Sequence, residues 1–337
     1  MEIAIRADGG LYIGMGHIMR TLVLAEELSK KNKVFYVCRK SNSESRKYEP
    51  GINMIKRNGF DVVNIDEFKF LEELLKIKAD CLITDSYDVS EDYFNITKKH
   101  FKYTGYIDDM NLYYFNVDFI INQNIGSESY IYKSNKFTYK MLGSDYTMLR
   151  KEFRVNRDIK INRHVSDIMI TVGGSDENNI TAKLLNYIKK LKYNFHIIIG
   201  PSFMDEYVSQ LKLIEKSRKN IKLYINANVV DVMKKCDLCI SSCGSTLYEL
   251  ASCGIPTLGI VIAENQRKIA DKMDSLGLIK NLGNIKTLDS NMLCSAIIEI
   301  NKNFDKRRTM SKKLRSFVDG NGAQRIANMI NEKLILY

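Results

Sequence analysis

Short apolar runs alternate with longer amphipathic stretches from the first residues of the chain onward. The segments "EIAIRA", "KVFYVCRK", "DVVNI" and "DCLITDS" have the length and β-branched content of buried strands, and "YTGYIDD" and "DFIINQN" continue the series. Between them, "HIMRTLVLAEELSKK", "GINMIKRNG" and "KFLEELLKIK" place apolar residues on one helical face. Strands separated by helices of this length predict a parallel sheet covered on both faces. From about Lys133 to Arg163 the rhythm gives way to polar and basic sequence, which predicts a linker. The pattern then resumes with "SDIMITVGGSDENN", "NFHIIIGPS", "IKLYIN", "DLCISSCGS" and "PTLGIVI" as strands and the loops after them, each followed by a helical stretch. The expected fold class is α/β: two doubly wound Rossmann-like domains, residues 1–150 and 151–337, with an interdomain cleft at the carboxyl ends of both sheets.

Length agrees with two domains, since 337 residues exceed one comfortable core. Apolar residues at 45% and charged residues at 27% are ordinary for globular proteins and exclude a disordered or fibrous chain. The net charge of +11 raises nucleic acid as a partner. Its lysines, however, fall in pairs such as Lys30 and Lys31 or Lys189 and Lys190 at helix ends, where cations suit the dipole, so no nucleic acid partner is expected. Seven cysteines lie scattered in apolar stretches, without the facing C-x-x-C pairs of a metal site. With no apolar run of about 20 residues and no basic-then-apolar N-terminus, neither a membrane span nor a signal peptide is expected. The expectation is a cytoplasmic monomer with free thiols.

Chemistry is suggested first by "RADGGLYIGMGHIMR" at residues 6–20. Gly14 and Gly16 let the backbone approach a ligand, and the following helix points free N–H groups at it. The run lacks the third glycine of a dinucleotide fingerprint, and no P-loop occurs, so nicotinamide and ATP chemistry lose support. His17, one of only four histidines, falls in the first helical turn, where a neutral imidazole would serve as a general base or merely bond a loop carbonyl. In the second half, Gly173, Gly174, Ser175 and Asp176 follow one strand, and Gly244, Ser245 and Thr246 follow another. Two such loops before helices suit a diphosphate held by backbone amides. Glu249 could accept hydrogen bonds from a ribose hydroxyl pair, or close a capping box with Thr246. The segment "DSYDVS" presents Asp85, Ser86 and Tyr87 at the cleft edge of the first domain, Tyr87 as an orienting hydroxyl or a packing lid. Asp108 and Asp109, adjacent on a strand, point to opposite faces and make poor joint metal ligands. Asn265 and Gln266 begin another helix, as sugar readers or caps.

Taken in order, "RADGGLYIGMGHIMRTLVLAEEL", "ITDSY", "YIDD", "IINQN", "MLGSDYTMLRKEF", "ITVGGSD" and "ISSCGSTLYELASCGIPT" resemble the UDP-2,4-diacetamido-2,4,6-trideoxy-β-L-altropyranose hydrolase family (PseG) and its spore coat polysaccharide relatives (SpsG). The second domain is similar to that of MurG-type glycosyltransferases. The resemblance implies a GT-B fold and a hydrolase of pseudaminic (nonulosonic) acid biosynthesis, releasing UDP and free sugar with anomeric inversion and needing no metal or cofactor. It implies that His17 is the catalytic residue, activating water. Tyr87 and Asn265 match the sugar pocket, to which Asp8, Gly14 and Gly16 are also assigned, and Gly173, Gly174, Ser175, Ser245 and Glu249 match the nucleotide side. Asp176, Gly244 and Thr246 join the nucleotide side through their loops. The tail "DGNGAQRIANMINEKLILY" is expected to form a helix that returns to the first domain, and no fused acetyltransferase domain is expected. The alternatives are a UDP-sugar-dependent glycosyltransferase of the same fold, or a catalytically silent UDP-sugar binding protein.

Overall fold

The structure, a computed structural model, describes residues 1–10, 13–41, 46–154, 159–225 and 227–335. Residues 11–12 of the opening loop and 155–158 of the expected linker lie outside the described residues. The chain divides into two compact units, Met1–Arg150 with Gly320–Tyr337, and Lys151–Asp319.

The first unit runs β1 (Glu2–Ala7), α1 (Gly16–Leu28), β2 (Lys33–Lys40), α2 (Glu49–Arg57), β3 (Asp61–Asp66), α3 (Phe70–Leu74), β4 (Cys81–Asp85), α4 (Glu91–His100), β5 (Tyr103–Ile107), β6 (Phe119–Asn122) and β7 (Tyr139–Leu142). The strands form one parallel sheet in the order β3-β2-β1-β4-β5-β6-β7. Alternation decides the two cores, because successive side chains leave a strand on opposite faces. From β1, Ile3, Ile5 and Ala7 enter one core with Ile18, Leu22 and Ala25 of α1; Ala4 enters the other with Phe94 of α4. Gly105 leaves room for the Phe119 ring of the neighbouring strand, which a Cβ would meet at 2.0 Å.

Strand β7 corrects the expected linker: residues 139–142 pair in register with β6. Only Met141 of the four is buried, so this edge strand carries little of the apolar signal that marks the central ones.

The second unit opens with α5 (Lys151–Arg154) and continues β8 (Asp167–Thr171), α6 (Ile180–Tyr187), β9 (Asn194–Ile199), α7 (Asp205–Ser217), β10 (Ile221–Ile225), α8 (Val229–Met233) and β11 (Leu238–Ser242). It ends with α9 (Thr246–Cys253), β12 (Thr257–Val261), α10 (Arg267–Ser275), β13 (Lys280–Asn284), α11 (Ser290–Lys302) and α12 (Phe304–Phe317). Its strands are parallel in the order β10-β9-β8-β11-β12-β13. Arg307 is wholly buried, and its guanidinium donates to the carbonyls of Ile300, Asn301, Asn162 and Arg163. One cation thereby serves the carboxyl end of α11, where orphan carbonyls accumulate.

The last helix, α13 (Gly322–Ile335), belongs to the first unit, so the second domain ends before it and not at residue 337. Ala323, Ile326, Ala327 and Ile330 join the core beneath α1, and Asn32 donates to Asn331 at 2.8 Å. Gly322 permits the approach, since a Cβ there would lie 2.3 Å from the Thr147 carbonyl oxygen. Among the described residues no helix is long and apolar enough to cross a membrane.

Candidate active site and nucleotide-binding loops

In a sheet ordered 3-2-1-4-5, the connections from the first and fourth strands leave in opposite directions, which opens a crevice at their carboxyl ends. Helix α1, following β1, places His17 at this point, and Asp85 is the last residue of β4. His17 Nδ1 and Asp85 Oδ1 are 2.6 Å apart. Arg20, one turn beyond His17, donates to both oxygens of Asp85, Nε to Oδ2 and Nη2 to Oδ1, each at 2.6 Å. Its Nη1 donates to Asp109 Oδ1 at 2.8 Å. Asp109 also accepts from the Tyr87 hydroxyl at 2.8 Å and from Asn124 Nδ2 at 2.8 Å. The Tyr87 ring meets His17 edge-on, with centroids 4.7 Å apart.

Burial by itself would push the Asp85 carboxyl up, but the Arg20 charge, with hydrogen bonds from Arg20 and His17, overcomes it and holds Asp85 below the ordinary carboxylate range. Asp109 is likewise held low against its burial, chiefly by Arg20. An ionised Asp85 can only accept, so a hydrogen bond at Nδ1 requires the proton on that nitrogen. Nε2 then carries the lone pair, and it has no hydrogen-bond partner among the described residues. The arrangement is an imidazole oriented by a buried carboxylate, with its second nitrogen available to take a proton.

Sequence reasoning placed His17 in the opening helix and Asp85 and Tyr87 at the cleft edge, but it did not pair Asp85 with His17 and left out Arg20, Asp109 and Asn124 as partners. A signal for Arg20 was present, since positions three apart share a helical face. For Asp85 the signal was its place at the end of the strand that flanks β1 in a doubly wound sheet. Asp109 does point away from Asp108, which turns instead to Tyr132 at 2.7 Å.

The opening loop differs from the expected cradle. Gly10 and Gly14 exchange both backbone hydrogen bonds at 3.0 Å, so the Gly14 amide is used internally. Gly14 is needed for its φ of +77°. Among the described residues, a Cβ on Gly16 would meet nothing within 4 Å, and Met15, at the cap position, supplies no side-chain hydrogen bond to the first turn of α1. Among the described residues, open space therefore lies beside Gly16, in the turn that also carries His17. Asp8 is not presented to that space: it is buried, accepts from the Arg39 backbone N–H and Nε, and pairs with Arg6 at 3.2 Å.

In the second unit the corresponding switch point lies between β8 and β11. The loops after β8, β11 and β12 gather there. Gln266 Oε1 accepts from the Cys243 and Ile262 amides, tying the Gly244 loop to the one that carries Asn265. Gly173 adopts φ of +107°, and Ser242 Oγ donates to the Val172 carbonyl beside it. Ser175, Gly244, Ser245 and Thr246 all retain some exposure, as ligand contact requires. Asp176 is different. Its buried carboxylate accepts from the Ile180 and Thr181 amides at 2.7 and 2.8 Å and from the Tyr207 hydroxyl at 3.0 Å, so it caps α6. Glu249 stands one position too late for a capping box, because the cap of α9 is Ser245 and Thr246 is its first residue. Asn265 is exposed and lies in this unit, on the loop after β12.

Residues 167–328 match the glycosyltransferase family 28 C-terminal domain. An uncharacterized protein of Methanocaldococcus jannaschii is 34% identical over 292 residues, covering 80% of this chain and 58% of that protein. This chain thus spans little more than half of that relative's length. The spore coat polysaccharide biosynthesis protein SpsG of Bacillus subtilis is 26% identical over 354 residues, covering 98% of each chain. The UDP-2,4-diacetamido-2,4,6-trideoxy-β-L-altropyranose hydrolase of Campylobacter jejuni is 26% identical over 276 residues, covering 80% of this chain and 95% of that one. Among solved structures, MurG of Acinetobacter baumannii superposes with a TM-score of 0.68 at 14% identity, covering 98% of this chain and 99% of that one. An S. aureus MnaA–UDP complex does so with 0.67 at 14% identity, covering 100% and 97%. The fold is GT-B, built from two parallel-sheet Rossmann-like domains.

Proposed function

From a chain that is PseG/SpsG-like in sequence and GT-B in fold, we propose an enzyme that hydrolyses a UDP-linked 2,4-diacetamido-2,4,6-trideoxy sugar to UDP and the free sugar with anomeric inversion, in pseudaminic acid biosynthesis. The observation that carries this reading is the His17–Asp85 pair, at the switch point of the first sheet, with Nε2 left as an acceptor.

The second unit's loops at Gly173–Ser175 and Gly244–Thr246 hold the diphosphate through backbone amides and hydroxyls, and Glu249 takes the ribose hydroxyls. Tyr87 and Asn265 contact the sugar, with Gly16 leaving it room. His17 Nε2 removes a proton as the water oxygen bonds to the anomeric carbon, and the bond from that carbon to the UDP oxygen breaks with its electron pair going to UDP. Asp85 stabilises the resulting imidazolium through Nδ1, and amides at helix N-termini stabilise the leaving diphosphate. The imidazolium proton then returns to solvent.

The family 28 match over residues 167–328 favours a second reading, transfer to an acceptor hydroxyl with His17 as its base. Both are tested by following UDP release from UDP-2,4-diacetamido-2,4,6-trideoxy-β-L-altropyranose in EDTA without acceptor, for wild type and His17→Asn. Hydrolysis predicts release by the wild type, loss of release in the variant, and unchanged UDP binding. No release by a wild type that still binds UDP would reject hydrolysis of this substrate in favour of transfer, or of binding alone.

A further inference from the structure

The general base needs a lone pair on His17 Nε2, which exists in the neutral ring only while the proton stays on Nδ1. We propose that Arg20 is the positioning residue that keeps it there, by holding Asp85 as an acceptor-only carboxylate, and that the same guanidinium aligns Tyr87 through Asp109. This inference rests on the reading of His17 as the base.

Asp85 Oδ1 is shared between His17 Nδ1 and Arg20 Nη2, both at 2.6 Å, while Oδ2 takes Arg20 Nε at 2.6 Å. The Asp85 side chain is fully buried. A carboxylate so placed, with an imidazole as its one partner, would be driven by desolvation towards the neutral acid. The neutral acid can donate to Nδ1, which moves the ring proton to Nε2: the heavy-atom contact is unchanged and the base is lost. Two charge-assisted bonds from a planar fork prevent this.

The third nitrogen extends the control. Arg20 Nη1 reaches Asp109, whose other oxygen holds the Tyr87 hydroxyl, and Tyr87 packs its ring against His17. Both neighbours of the imidazole, a carboxylate and an aromatic ring, therefore depend on one guanidinium. Among the described residues, the charged or titratable groups around His17 and Asp85 are Arg20 from α1, Tyr87 and Asp109 from the loops after β4 and β5, and the Tyr36 and Tyr106 hydroxyls of β2 and β5.

The test uses the full chain with Arg20→Gln and Arg20→Lys, and two readouts. Nitrogen-15 NMR of labelled histidine reports the His17 tautomer without substrate, the signal being assigned by its absence in His17→Asn. The pH profile of UDP release from the UDP-sugar reports the base at work. In the wild type the proton resides on Nδ1. Arg20→Gln is expected to populate the Nε2–H tautomer and to lower kcat by about 10²-fold, the low end for loss of a general base, with a smaller change in KM. Arg20→Lys falls between, because an ammonium cannot span both Asp85 oxygens and Asp109. A folded Arg20→Gln with the wild-type tautomer and pH profile overturns the proposal and leaves Arg20 a structural ion-pair partner. If Arg20→Gln does not fold, Arg20→Lys decides by the same two readouts. Because the tautomer is measured without substrate, a wild type inactive on the UDP-sugar sinks the functional reading while the NMR still decides the role of Arg20.

Discussion

Replacing Asp85 by Asn changes one buried oxygen into an NH2 group and leaves the shape intact. The carboxylate makes three contacts of 2.6 Å, one with His17 and two with Arg20. If the amide oxygen keeps the Oδ1 position, the NH2 group faces the Arg20 Nε–H, donor against donor; the opposite orientation sets it against His17 Nδ1–H. Removing one partner of a buried pair costs about 3–5 kcal/mol, and the lower end applies because Asp109 still accepts from Arg20. A loss of about 3 kcal/mol lowers the melting temperature of a domain this size by roughly 6–12 °C. Acid sensitivity should change with it. Because the folded Asp85 sits below the ordinary carboxylate value, its contribution is complete above the unfolded pKa and is lost as pH falls through the folded one. Asp85→Asn should therefore lose stability near neutrality and converge on the wild type in acid. Turnover should fall by about 10²–10⁴-fold with little change in KM, since the amide no longer secures the tautomer or the imidazolium. Steady-state kinetics of UDP release, with thermal melts across the acid range, measure both. Turnover within about threefold of wild type would refute the dyad as the source of the base.

Three further substitutions separate ligand contact from scaffolding. Asp176→Ala should destabilise the second unit by about 2–3 kcal/mol in chemical unfolding, because three donors lose their acceptor, while the folded protein binds UDP as before; normal stability with lost UDP binding would return Asp176 to the nucleotide site. Glu249→Ala should weaken UDP binding by about tenfold in calorimetry, or 1.4 kcal/mol, with an unchanged melting temperature, since the residue is out of register for a capping box. Gly16→Ala should keep or raise stability by about 0.5–1 kcal/mol, as alanine suits a helix better than glycine, yet raise KM for the UDP-sugar; an unchanged KM would mean that the space beside His17 is not used.

The sequence alone was enough for the α/β class and for most central strands, because strands buried on both faces must be apolar almost throughout, as "EIAIRA" and "DCLITDS" are. Two of the four edge strands escaped it: β7 and β13 bury little, and "YKML" and "KNLGN" lack the β-branched run that marked the edge strands β3 and β10. His17 stood out as a candidate from its place behind two glycines. Its partners did not stand out as such, because Asp85 and Asp109 lie 68 and 92 positions away and reach the helix only through the strand order β1-β4-β5. Nor did local pattern show that Asp8 and Asp176, two carboxylates beside glycine loops, have their oxygens engaged by Arg39 and by the first amides of α6. Residue type and spacing specify which groups exist and which element carries them. Which oxygen faces which nitrogen is decided when sheet order brings separate loop ends together and burial obliges every charge to find a partner.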